Sequence, residues 1–146
     1  MKKRIAIGIA VLFVLLQAVP YGRAHSNPPI GAAPKWDSPR TKQLFDRACA
    51  TCHSHQTVWP WYSHVAPVSW LAQHDVDEGR EHLNVSAWST AQEDADHAAG
   101  EVREGGMPPW FYLPAHPEAR LTDAEKRELA DGLARTFGDE KEEEGE

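Results

Sequence analysis

Cys49-Ala50-Thr51-Cys52-His53 is the stretch that decides how this sequence is read. Its C-x-x-C-H spacing is that of a c-type haem attachment site. On a helical turn, two thiols three residues apart can each form a thioether to one of the two haem vinyl groups. The imidazole of His53 then lies under the iron as proximal ligand. Three other readings compete. A zinc site needs four ligands, and the chain has no Cys beyond these two. A thioredoxin-like redox pair needs a βαβ setting, which the flanks do not suggest. A plain disulfide is chemically open in an oxidising compartment. The haem reading takes precedence because both neighbours and chain order agree with it.

Outward from the motif the pattern is helical. Ser38 can cap a helix with Pro39 at its first position, and Leu44, Phe45, Ala48, Cys49 and Cys52 share one face. A second helix is expected within Pro67–Leu83, where Gly79 interrupts the pattern. A third is expected from Thr90, paired with Glu93 as a capping box, through Ala95, Ala99 and Val102 to the stop at Gly105-Gly106. A fourth starts at a Thr122–Glu125 capping box, carries Leu129, Leu133 and Phe137 four apart, and ends at Gly138. Nothing alternates as a strand would. The expected class is all-α: a helical domain around one covalent haem, preceded by a hydrophobic helix.

The formal net charge of -7 averages unlike regions. Residues 1–24 hold Lys2, Lys3, Arg4 and Arg23 and no acid, so the remainder is more acidic than the total suggests. Such a body has no electrostatic footprint for nucleic acid. After the basic start, Ile5–Val19 is uncharged and Pro20 follows. That is the pattern of a signal-anchor or of a secretory signal with a cleavage site after Gly22-Arg23-Ala24. Either one sends the body out of the cytoplasm: to the membrane with the haem domain on the periplasmic side, or free in the periplasm after cleavage. Residues 25–35, with Pro28, Pro29, Pro34 and Gly31 in or beside them, read as an extended linker. Residues 36–138 form the expected haem domain, and 139–146, with six acids and one Lys, a disordered tail.

A sixth iron ligand must come from elsewhere. Met107 stands in Gly105-Gly106-Met107-Pro108-Pro109-Trp110, where glycines allow close backbone approach and prolines stiffen the loop. Met107 is therefore the first candidate distal ligand. His74 or His64 is the alternative, and an open site the third. His25 lies in the linker and His55 is too near His53. His82 and His97 sit in polar stretches, and His116 reads as a surface loop residue. Trp59, Trp61, Tyr62, Trp70, Trp88 and Trp110 read as core or as walls of the porphyrin. Arg80 and Arg103 are the bases to look for near its propionates.

A helix ending in C-x-x-C-H, a Met-Pro loop and a closing amphipathic helix resembles the class I cytochrome c plan. The stretches Cys52–Trp70, His74–Arg80, Leu83–Trp88 and Met107-Pro108-Pro109 resemble the bacterial haem-binding domain family of small, single-haem, often membrane-anchored proteins. The resemblance spans residues 36–138. It implies haem c as cofactor, Cys49 and Cys52 as covalent attachment points, and His53 and Met107 as axial ligands. With His53 and Met107 both bound the iron has no open site, so the expected function is one-electron transfer at the outer face of the cytoplasmic membrane, with redox proteins as partners and no catalysis. The alternatives are a redox or gas sensor with an exchangeable sixth ligand, and a peroxidase-like enzyme using His64 or His74 with Asp75.

Overall fold

The computed structural model describes residues 1–139, so the acidic tail expected over 139–146 lies outside the described residues except for Asp139. Six α-helices carry the chain: α1 (Lys2–Leu16), α2 (Pro39–Ala48), α3 (Ala50–His53), α4 (Val68–His82), α5 (Ala98–Glu104) and α6 (Asp123–Phe137). Short 3₁₀ turns lie at Trp61–His64, Ala95–His97 and Pro117–Ala119. Among the described residues there is no strand, as expected for an all-α protein.

The two best-signalled helices form the frame. Ser38 caps α2, its hydroxyl oxygen accepting from the Thr41 N–H at 3.1 Å, with Pro39 at the first position. Thr122 and Glu125 cap α6 reciprocally, with Thr122 N–H to Glu125 Oε2 at 2.9 Å and Glu125 N–H to Thr122 Oγ1 at 3.2 Å. Leu44 and Phe45 from α2 meet Leu129 and Leu133 from α6 in the core, all buried. Burying each is worth about 2 kcal/mol. The helices approach closely at one point: a Cβ on Gly132 would lie 2.9 Å from the Thr41 Cβ. Trp36, Phe45, Phe137 and Trp88 close one end of this core, with neighbouring ring centroids 5.0 to 6.4 Å apart.

The α6 cap responds to acid. The Glu125 carboxyl is held at about 2, first by the Thr122 N–H it accepts and then by the Arg47 guanidinium. A carboxylate whose pKa falls on folding stabilises fully above its unfolded value and loses that effect as pH drops toward the folded value. Stability is therefore expected to fall between about 4.5 and about 2. In urea melts over that range, Glu125→Gln should flatten the curve. At neutral pH, Thr122→Ala should cost about 1 kcal/mol.

The Thr90–Glu93 capping box does not form. The Thr90 hydroxyl donates to the Ala87 carbonyl at 2.7 Å, and the Gln92 side chain accepts from the Asn84 N–H at 2.7 Å. These bonds fold residues 84–92 into turns, so the helix starts only at Ala98. It stops as expected, with Gly105 left-handed at φ 82°.

The expected linker is extended but not free. Asn27 Nδ2 donates to the Thr57 carbonyl at 2.8 Å, Gly31 N–H to Ser86 O at 2.8 Å and Trp88 N–H to Ala32 O at 3.0 Å. Upstream, the Gln17 amide pairs with both backbone groups of Ala66, at 2.9 and 3.0 Å. No side chain of α1 is buried. No helix among the described residues is long and apolar enough to cross a membrane. Fifteen residues of α1 rise about 22 Å, short of a hydrocarbon core of about 30 Å. The transmembrane expectation for this segment is thus not supported.

Candidate functional site

The chain leaves helical geometry at Cys49 (φ -124°) and resumes it for the single turn of α3. The Cys49 carbonyl accepts from the N–H groups of both Cys52 (3.1 Å) and His53 (3.0 Å). Cys49, Cys52 and His53 are thereby displayed together on the wall of a cavity of about 620 Å³. Phe45, Leu83, Val102, Phe111 and Leu133 supply much of the apolar lining, and Met107 faces the same cavity. The size and largely apolar lining suit a flat prosthetic group.

His53 is oriented from behind. Its Nδ1 lies 3.1 Å from the Leu83 carbonyl, and its own carbonyl accepts from the Val85 N–H at 3.0 Å. A carbonyl can only accept, so Nδ1 carries the proton and Nε2 keeps its lone pair for a metal. Burial lowers the pKa of His53 below the ordinary imidazole value, against the opposing pull of the Leu83 and Gly79 carbonyls. The neutral, ligating form is favoured.

The two thiols are free of each other. Burial pushes Cys49 up to about 12, with the neighbouring Cys52 and Asp46 adding to it. It pushes Cys52 up to about 11, with Asp75 reinforcing and Arg80 opposing. Both are protonated at neutral pH, which suits attachment points better than thiolate ligands or nucleophiles. Among the described residues no group of three or more His, Cys, Asp or Glu could hold a metal ion by itself.

Gly79 and Arg80, in roles that the sequence reading did not give them, hold this turn in place. A Cβ on Gly79 would lie 2.9 Å from the Cys52 Cβ and 3.0 Å from the Cys52 carbonyl oxygen, so α4 crosses α3 only because Gly79 has no side chain. Arg80, expected near propionates, is committed elsewhere. It donates to Ser54 O (2.9 Å), Ser26 O (3.0 Å), Asn27 Oδ1 (2.9 Å) and Thr57 Oγ1 (3.0 Å), tying α4 to the extended strap. Arg103 pairs with Asp139 at 2.8 Å.

Met107 follows the left-handed Gly105, and its N–H returns to the Glu101 carbonyl at 3.1 Å. The side chain packs against the core cluster at the cavity wall. His74 also lines the cavity, as do His82 and His97 near an acidic rim of Asp75, Glu78, Asp94 and Glu101. His64 does not; it meets the His25 ring edge-on at 4.4 Å. None of the six Trp lines this cavity, contrary to the expectation that they wall the porphyrin. Trp61 and Trp110 are exposed, at 78% and 80%, because their loops have no second layer above them. His116 is not a surface residue: only 13% of its side chain is exposed, stacked on Tyr112.

Compared with known proteins, the chain matches the family model described as haem-binding domain over residues 11–135. No curated protein and no solved structure matches it. The match begins within α1, upstream of the boundary at 36, and takes in the strap.

Proposed function

This chain belongs to the haem-binding domain family, and on that premise we propose that it is a single-haem c-type cytochrome of class I cytochrome c-like plan. It carries one electron at a time, outside the cytoplasm, between redox partner proteins. One observation carries the reading: Cys49, Cys52, His53 and Met107 line a single apolar cavity.

Bound haem supplies a one-electron ferric–ferrous couple. Cys49 and Cys52 hold it through two thioethers. His53, aimed by the Leu83 carbonyl, and Met107 are the residues that would hold its iron. Iron held by both residues would leave no open position for a substrate, which supports electron transfer rather than catalysis. Methionine sulfur on the iron would favour the less charged ferrous state and raise the potential.

The ferric protein is expected to show the weak far-red band of iron–methionine ligation, and Met107→Ala to abolish it. A spectrum indifferent to Met107→Ala would remove Met107 from the iron. Rapid, unhindered CO binding by the reduced wild type would favour a sensor with an exchangeable sixth ligand.

The hydrophobic segment is retained and holds the body at the membrane through its uniformly apolar sides. Support comes from residues upstream of the cleavage site: Gln17 is bonded to Ala66, and a Cβ on Gly22 would lie 2.7 Å from the Ser69 carbonyl carbon. Cleavage before His25 would discard both contacts. Intact-mass measurement of the protein from membranes should find residues 1–24 in place; a chain beginning at His25 would refute retention.

A further inference from the structure

A second cavity of about 260 Å³ lies beside the first and shares with it only Thr51, Cys52, Asp75, Phe111 and Tyr112. Trp59, Val68, Leu71, Ala72 and Ala115 give it apolar walls. Tyr62 and His116 also line it, and neither reaches the haem cavity.

These two residues belong to a directional chain. The Tyr62 hydroxyl oxygen is 2.5 Å from His116 Nε2, and His116 Nδ1 is 3.0 Å from Glu118 Oε1. The Glu118 carboxyl is held below the usual range, first by its own backbone N–H and then by His116, so it is ionised and can only accept. His116 therefore donates from Nδ1 and accepts at Nε2, and Tyr62 donates to His116. The Tyr62 oxygen has then used its only proton and offers lone pairs. Tyr112 holds the His116 ring flat, stacked at 3.8 Å and 8°. On another wall, the indole N–H of Trp59 is buried with no partner. To a molecule in the cavity, which that nitrogen does not face, the site offers the Tyr62 oxygen as an acceptor between largely apolar faces.

We propose that this second cavity binds a hydroquinone ring, one hydroxyl donating to the Tyr62 oxygen. A flat apolar ring fits the walls, and a hydroxyl that donates fits the lone pairs of the Tyr62 oxygen. The mouth is apolar and open: Val58, Leu71 and Val68 are 76%, 50% and 45% exposed. Gly22, which follows α1 in the chain, backs onto Ser69, between Val68 and Leu71 of this lining.

The test is calorimetric titration of the full-length, dithionite-reduced protein with trimethylhydroquinone, where reduction leaves binding as the sole source of heat. Saturable binding to one site is expected, with toluene about 10-fold weaker or worse for lack of oxygens. Tyr62→Phe should weaken the hydroquinone about 10-fold and leave toluene unchanged. Ala72→Phe, which fills the cavity, should abolish both. Absence of saturable heat, equal affinity for toluene, or indifference to Tyr62→Phe overturns the proposal. The absorption spectrum of each sample reads haem separately: binding without haem counts against the cytochrome reading and leaves the second cavity standing.

Discussion

Replacing Cys49 and Cys52 together with alanine is expected to leave no haem on the chain after denaturation and acid–acetone extraction, while the wild type keeps its haem through the same treatment. The two thiols are free, protonated and on the wall of the 620 Å³ cavity, so nothing else there can form a carbon–sulfur link. Each single variant should retain haem through the remaining thioether. The double variant should also melt earlier. An unfilled apolar cavity costs several kcal/mol, and for a body of this size that is a fall in Tm of roughly 10 °C or more. Haem extracted equally well from wild type would end the covalent reading while leaving haem binding itself intact.

Gly79→Val should damage both the fold and the attachment turn. Its first added carbon would lie 2.9 Å from the Cys52 Cβ, nearer than side chains approach one another, and the neighbouring contact is backbone that cannot swing aside. α4 must lift from α3, at a cost of about 3 kcal/mol, and the attachment turn goes with it. Lower haem yield and a Tm lower by roughly 12 °C or more are expected in the purified variant. Gly100 provides the control: it also lies inside a helix, but nothing stands within 4 Å of its would-be Cβ. Gly100→Ala should be neutral, or stabilising by up to about 1 kcal/mol. Equal effects at the two glycines would show that helix propensity, not the α3–α4 contact, governs position 79.

The contrast between two capping boxes shows where local reading works. Thr122 and Glu125 form theirs because the apolar stripe of Leu129 and Leu133 behind it has α2 to pack on. Thr90 and Glu93 have the same spacing, yet the bonds from Thr90 to Ala87 and from Asn84 to Gln92 outcompete the helix start. The histidines divide in the same way. His53 was legible from its place in the motif, whereas His116 is partly covered by Tyr62 and Tyr112, one of them 54 positions away. Arg80 carried no sequence signal for its role, because its four acceptors come from Ser26, Asn27, Ser54 and Thr57.

The sequence by itself determined the all-α class, the caps of α2 and α6, the glycine stop of α5 and the grouping of Cys49, Cys52 and His53. Each depends on relations within about one helical turn, where covalent geometry leaves few alternatives. Tertiary structure alone decided which carbonyl aims His53, why position 79 must be glycine, that the expected linker is a bonded strap, and that a second cavity opens beside the first. Those features arise where chain segments far apart in sequence exclude water together. Local patterns do not encode which distant carbonyl, ring or glycine will be the neighbour.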